Sequence, residues 1–381
     1  MHMSNPQPTT LPSPSTSDSS PSAPSAPGRP PSAQPASVRP RSAPGEPPER
    51  RRAARKASTA AAIAAAAIPT LMTALDNLVM TFALPDIERE LGATVTQLQW
   101  FVNAYTLVLA SALLPMAALG DRFGRRRIFS CGIAVFAAAS AACALAPTPQ
   151  ALIVARAVQG AGGAAIVTLS LALLVDAVPR RLRELAIGVW GGVNGLGIAM
   201  GPLLGGAVVS GLHWSVVFWI NVPIGALSLP LVPRFLPRAA VGSRGADRLG
   251  TVLGIGFVFP LTWAVVEGPA RGWTDRLTIG GFAAAGICLV LFLLRERSAK
   301  APVMPLSLFA DRRFSLINAA TVLFAAGVFG AIFFLSQFLQ ITLGYSAFEA
   351  GLRAGPWTLL PLFVSPASGG LVKRLGVRRV L

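Results

Sequence analysis

The sequence predicts an all-α fold, a polytopic bundle of membrane-spanning helices. Three observations lead there. Hydrophobic residues make up 53% of the 381 residues and charged ones only 13%, against about 25% charged in a soluble domain. From residue 58 onward the chain is a series of apolar segments of span length. Its basic residues alternate, abundant in one connection and scarce in the next.

The elements follow in order. Residues 1–57 are rich in Pro, Ser and Ala and hold eight of the 33 Lys and Arg. A segment without apolar periodicity cannot offset its ordering entropy, so a disordered tail is expected. It is not a signal peptide, because Arg50-Arg51-Arg52-Ala53-Ala54-Arg55-Lys56 directly precedes a segment long enough to span. Ten spans are expected, at 58–83, 98–119, 128–146, 150–175, 184–209, 214–233, 249–267, 277–294, 314–342 and 348–371. Each is near the roughly 20 residues that cross ~30 Å of hydrocarbon. Gly and Pro recur inside them, as membrane helices tolerate.

The tail and the connections at 122–127, 180–183, 234–248, 295–313 and 373–379 hold 28 of the 33 Lys and Arg. The intervening connections hold Arg89, Arg271, Arg276 and Arg353, and Arg156 lies within a span. By the positive-inside rule both termini are cytoplasmic and the span count is even. The net charge of +17 thus belongs to one membrane face, and no nucleic-acid partner is expected. Cys131, Cys143 and Cys288 fall inside apolar segments without metal-type spacing and read as packing residues. His2 and His213 cannot build a metal site between them. With no phosphate loop, metal cluster or Ser-His-Asp arrangement, neither an enzyme activity nor a cofactor is expected. Trp100, Trp214 and Trp273 lie near span ends and read as interface anchors.

Charge within a span asks for a function or a partner. Asp76, in the first span, is a candidate proton carrier or cation attractor; the plainer reading pairs it with a neighbouring helix. Arg156, in the fourth span, has no carboxylate within a turn, so its counter-charge comes from another helix or from solvent in a cavity. Gly195 to Gly206 place small residues every few positions in the fifth span, with Pro202 among them. That is a tight, bent packing face. In Gly120-Asp121-Arg122-Phe123-Gly124-Arg125-Arg126-Arg127, Gly124 allows a tight turn, and Asp121 can pair with arginines or cap the next helix. Such charge pairs can latch one conformation. Arg374-Leu375-Gly376-Val377-Arg378-Arg379 repeats the loop, with Lys373 in place of the Asp. Two copies imply two related halves.

These motifs together resemble the major facilitator superfamily, in its fourteen-span drug:proton antiporter branch, from about residue 70 to the end. The 119–127 loop is similar to motif A, with Ala117 where the pattern usually starts with Gly. Arg156-x-x-Gln159-Gly160 resembles motif B, and Gly197 to Gly206 resembles motif C, typical of exporters. Leu75-Asp76 with Ala83-Leu84-Pro85, and Phe218-x-Ile220-Asn221-x-Pro223-Ile224-Gly225, look like the first- and sixth-span signatures; Gly351-Leu352-Arg353 resembles tenth-span wording.

The resemblance implies a plasma-membrane exporter of amphipathic, often cationic small molecules, driven by a proton gradient and without a cofactor. It implies proton and substrate coupling at Asp76, Arg156 and Gln159. It implies a cytoplasmic gating loop of Asp121, Arg122, Gly124, Arg125 and Arg126, and an antiporter motif of Gly197, Gly201, Pro202, Gly205 and Gly206. The expected division is a tail at 1–57, an N-terminal six-helix bundle at 58–233, a linker with two inserted spans at 234–300, and two helices of a second bundle at 301–381. The branch has four further helices, so a missing C-terminal segment or a second chain would complete the bundle. The alternative is a truncated, non-transporting remnant or assembly partner of such an exporter.

Overall fold

The computed structural model describes residues 48–209, 213–238, 247–299 and 302–345, with isolated positions between 349 and 364. The chain divides into Met1–Pro48 and Glu49–Leu381. Apart from Pro48 the first unit, and with it most of the expected tail, lies outside the described residues. So do most of the tenth expected span and the second basic loop at 373–379.

The second unit is all helical among the described residues: α1 Pro48–Leu91, α2 Val95–Phe123, α3 Arg125–Ala144, α4 Pro149–Ala177, α5 Arg183–Val209, α6 Val216–Trp219, α7 Asn221–Phe235, α8 Arg248–Arg271, α9 Arg276–Ser298, α10 Ser307–Ala310 and α11 Arg312–Gln337. Seven stretches are long and apolar enough to cross a membrane, with α6 and α7 forming one span. Helices α5 and α11, at 27 and 26 residues, also have span length and coincide with the fifth and ninth expected spans.

The first span starts at Ser58, as expected, but two features differ from expectation. Residues 48–57, expected within the disordered tail, are helical: α1 begins at Pro48, so the basic run forms its opening turns. Proline is favoured at a first helical position, and Arg, Ala and Lys are good helix formers, so the helix extends beyond the apolar span. The sixth span is interrupted between α6 and α7, because Pro223 has no N–H to offer the Trp219 carbonyl.

Local sequence explains where the helices start. Thr94 caps α2 and forms a reciprocal capping box with Gln97. Thr148 caps α4 just ahead of Pro149. Asp247 and Asp275 cap α8 and α9. Gly124, at φ 97°, makes the turn from α2 to α3, a backbone conformation that other residues adopt only with strain.

Packing centres on α4, wedged between α2 and α3. A Cβ on Gly160 would lie 2.5 Å from the Tyr105 carbonyl oxygen of α2, and one on Gly162 would lie 2.7 Å from the Phe136 nitrogen of α3. The glycines of one helix thus admit a backbone on each side, as small residues do at membrane-helix interfaces. Gly225 brings α7 against Ala137 of α3, and Gly197 brings α5 against Leu71 and Ala74 of α1. Helix α8 meets α2 where Gly254 faces Leu114, and α9 crosses α8 where Gly281 faces Ala264.

Contacts at the helix ends confirm the alternation of the chain between two faces. At one, Trp214 Nε1 donates to Glu90 Oε2 at 2.7 Å, tying the α1–α2 turn to the start of α6. At the other, Arg126 of α3 donates to the carbonyls of Pro233 and Leu236 at the end of α7. Trp214 is buried within the bundle, a correction to its reading as an interface anchor: its indole N–H is satisfied by Glu90 and its ring packs edge-on against Phe218. On the basic face, Asp247 accepts from Arg295 Nε at 3.0 Å and from the Gly250 N–H at 3.1 Å, joining the two ends of the α8–α9 hairpin. Burial opposes ionisation of Asp247, but the Arg295 and backbone donors outweigh it and hold its carboxyl below the usual carboxylate range.

Two tests follow from this packing. Gly160→Val must push α2 from α4 and is expected to cost at least about 1–3 kcal/mol, as overpacking does. Gly280→Ala, where nothing lies within 4 Å of the added Cβ, is expected to leave the packing intact and to raise the thermal unfolding midpoint in detergent slightly, as Gly-to-Ala does within a helix. A carboxyl with a lowered folded-state pKa contributes stability that is full above its unfolded pKa and lost as pH falls through the folded one. Asp247→Asn therefore unfolds earlier than wild type at neutral pH, and the two curves converge below about pH 4.

Candidate functional site

The buried side chains of the bundle form two apolar clusters. One contains Met72, Tyr105, Phe136, Ile166 and Val232. The other contains Val79, Phe101, Cys143, Leu152 and Phe218. On helix after helix the residues between these levels are polar: Asp76 on α1, Ser140 on α3, Arg156 and Gln159 on α4, and Asn221 at the start of α7. All five are buried. A polar layer thus lies within the apolar depth of the bundle, where every group needs a partner.

Asp76 is the acceptor of that layer. Its Oδ2 receives Arg156 Nη1 at 2.5 Å. Its Oδ1 receives Gln159 Nε2 at 2.7 Å and Asn221 Nδ2 at 2.9 Å. Arg156 also donates from Nη1 to Gln159 Oε1 at 2.7 Å and from Nε to the Phe101 carbonyl at 2.9 Å. Its guanidinium lies 4.4 Å from the Tyr105 ring centre and 5.8 Å from that of Phe218, a cation–π environment strengthened by desolvation. Gln159 Nε2 donates further to Ser140 Oγ at 2.7 Å. The remaining nitrogen, Arg156 Nη2, is buried without a hydrogen-bond partner.

The ion pair has a side-chain exposure of 0% on both partners. A buried pair is costly to assemble, and removing one member leaves the other uncompensated. Here one carboxylate accepts from α1's neighbours α4 and α7, and one guanidinium binds the α2 backbone, so breaking the pair loosens several helices at once.

The structure therefore brings Asp76, Arg156 and Gln159 together, and the counter-charge of Arg156 comes from another helix. Asp121, Arg122, Gly124, Arg125 and Arg126 lie apart, at the basic end of α2 and α3. Arg125 Nε donates to Asp121 at 2.9 Å, and its Nη1 lies 3.7 Å from Asp176 of α4. Asp121 is thus used for an ion pair and does not cap α3, whose cap, Gly124, makes no side-chain bond. Arg122 lies over the Phe123 ring. Gly197 sits at the α1–α5 crossing. Gly201, Pro202, Gly205 and Gly206 belong to α5, and their surroundings lie outside the described residues.

Sequence reasoning missed Asn221 and Ser140 as members of the layer and Tyr105 as the ring against its guanidinium, and assigned Cys143 to packing alone. The Cys143 thiol donates to Gln159 Oε1 at 3.8 Å. A usable signal for Asn221 was present: a lone carboxamide in an apolar run, directly at a proline-broken helix. Among the described residues no group of three or more His, Cys, Asp or Glu could hold a metal ion.

A stack of span-length helices with a buried charged layer defines a polytopic membrane protein. Residues 66–381 match the Major Facilitator Superfamily, and the chain belongs to that superfamily. It is 38% identical over 314 residues to the tetracenomycin C resistance and export protein of Streptomyces glaucescens, covering 82% of this chain and 58% of that one. It is 39% identical over 311 residues to the multidrug resistance protein Stp of Mycobacterium tuberculosis H37Rv, covering 81% and 58%. The methylenomycin A resistance protein of Bacillus subtilis is 38% identical over 307 residues, covering 80% and 65%. The chain thus spans about 58–65% of the length of these relatives. The structure of the proton:xylose symporter XylE superposes with a TM-score of 0.53 at 15% identity, covering 84% of this chain and 70% of that one; this likeness concerns the fold alone.

Arg156→Met leaves a buried carboxylate uncompensated and is expected to destabilise the bundle by about 3–5 kcal/mol. Combining it with Asp76→Asn costs less than the two single changes summed. A double-mutant cycle of thermal unfolding in detergent micelles measures this coupling; strict additivity would show that the pair is not coupled.

Proposed function

We propose that this chain is the N-terminal bundle (58–233), the inserted hairpin (234–300) and the opening of a second bundle (301–381) of a proton-coupled exporter of amphipathic small molecules. It would lie in the plasma membrane with its N-terminus in the cytoplasm, as the distribution of basic residues supports. The observation that carries the reading is Asp76, a carboxylate buried at mid-bundle and held by Arg156, Gln159 and Asn221. The relatives, named as export and resistance proteins, support the direction and class of the cargo.

The proposed cycle follows from the bonds. With Asp76 ionised, its two oxygens tie α1 to α4 and α7. A proton added at Oδ2 cancels the carboxylate charge, weakens the hold on Arg156 Nη1 and loosens the three helices together. A cationic or amphipathic substrate competes with that proton for the same electrostatic site. Exchange of one for the other alternates the access of the site, and the Asp121–Arg125–Asp176 contacts at the basic end act as the cytoplasmic latch. For a neutral substrate each proton moved down 100 mV supplies about 2.3 kcal/mol; exchange of one proton for one monovalent cation moves no net charge and is driven by the pH difference alone.

The test uses everted vesicles containing the protein encoded by the full reading frame, with ethidium as the substrate probe and a pH dye. Wild type is expected to release protons from the vesicle interior when ethidium is added. Asp76→Asn is expected to abolish that release while the protein still inserts. Persistence of the release in the variant would make the polar layer a structural lock instead of a proton site.

A further inference from the structure

On the side of α2 and α4 that faces away from α3, an apolar groove of about 470 Å³ opens between these two helices and α8. Its walls include Trp100 and Ala104 of α2, Val154 and Ala157 of α4, and Phe259 and Trp263 of α8. The sequence explains the gap. Helix α8 touches α2 closely where Gly254 faces Leu114. Two turns further on, Phe259 and Pro260 separate the helices, and Pro260 removes a ladder bond from α8. The groove lies toward the end of α8 that carries Arg271, on the membrane face of the α1–α2 and α3–α4 turns. Its rim is exposed, with Val154 at 63%. At this depth a transmembrane helix is met by lipid, not water.

We infer that this groove seats one acyl chain of a membrane phospholipid, whose phosphate is bound by Arg271. The Arg271 guanidinium stands 5.5 Å from the centre of the Trp263 ring, which is itself a wall of the groove. Its Nε bonds Glu267 Oε2 at 2.7 Å, which fixes the guanidinium and uses one of its nitrogens. A guanidinium matches phosphate geometry with its remaining donors. Glu267 balances the Arg271 charge, so the selection rests on geometry: the remaining guanidinium donors match a phosphate and offer nothing to a cationic substrate. With no polar side chain lining it, the groove offers nothing to a hydrophilic solute. The site is separate from the Asp76 layer, and this inference stands or falls independently of proton coupling.

The test reconstitutes the full chain in phosphatidylethanolamine–phosphatidylglycerol vesicles containing a trace of phosphatidylglycerol with a diazirine in mid-acyl chain. Light-induced adducts are mapped by peptide mass spectrometry. Labelling is expected to concentrate on Trp100, Val154 and Ala157 well above that at Ile287, a lipid-exposed position of α9 at 61% exposure. Arg271→Gln is expected to lower groove labelling about fivefold, the effect of one basic side chain at headgroup level. Ala157→Phe, which fills the groove from α4, removes the labelling and leaves Ile287 unchanged. If that variant fails to fold, Val154→Phe fills the rim instead. Labelling no stronger than at Ile287, or labelling insensitive to both the Arg271 and the filling variants, overturns the proposal. So does displacement of the lipid label by tetraphenylphosphonium, which would assign the groove to apolar cations.

Discussion

The described bundle depends on the ion pair between Asp76 and Arg156. Every polar group in the middle layer is arranged around it: Gln159 and Asn221 complete the acceptor capacity of the carboxylate, while the Phe101 carbonyl and two aromatic rings complete the surroundings of the guanidinium. Hydrophobic packing alone distinguishes one helix rotation from another weakly inside a bilayer, because lipid is as apolar as the helix face. A buried carboxylate is more exacting. It has to face the one guanidinium available, and that requirement sets the rotation of α1 against α4 and of α7 against both.

The glycines of α4 make that pairing reachable. Gly160 and Gly162 admit the backbones of α2 and α3 at distances no side chain would permit. Close backbones bring the Phe101 carbonyl within reach of Arg156 Nε and Ser140 within reach of Gln159. The small residues and the charged ones, often read as separate motifs, act here as one device: the first sets the spacing, and the second uses it.

Much of this was legible in the sequence. Segment length and the alternation of basic loops placed the helices, because a bilayer imposes one length and one sign asymmetry on any chain that crosses it. Asp76 and Arg156 stood out because charge within a span is rare. Their pairing did not, since a contact between residues 76 and 156 is a fact of tertiary structure that no local period records. Asn221 and Ser140 were overlooked for a related reason. An uncharged polar side chain in an apolar run is common enough to pass for a helix-backbone donor until its neighbours are known. Trp214 went to the wrong environment because an indole near a span end satisfies its N–H equally well at a lipid headgroup or, as here, at the carboxylate of Glu90. The span start at residue 58 was legible, while the helical turns at 48–57 were not, because hydropathy measures the membrane and helix propensity carries the same helix on into polar sequence.

The hold of Arg126 on the ends of α7 has a different character from the central pair. Its partners are the carbonyls of Pro233 and Leu236, which a helix terminus leaves without intrahelical donors. Neither an amide oxygen nor a guanidinium changes protonation across the range in which a cell works. The α3–α7 joint therefore holds through a contact that acid does not remove. A change of charge in the middle layer removes neither partner of this joint, so α3 and α7 stay fastened at their basic ends whichever state that layer is in.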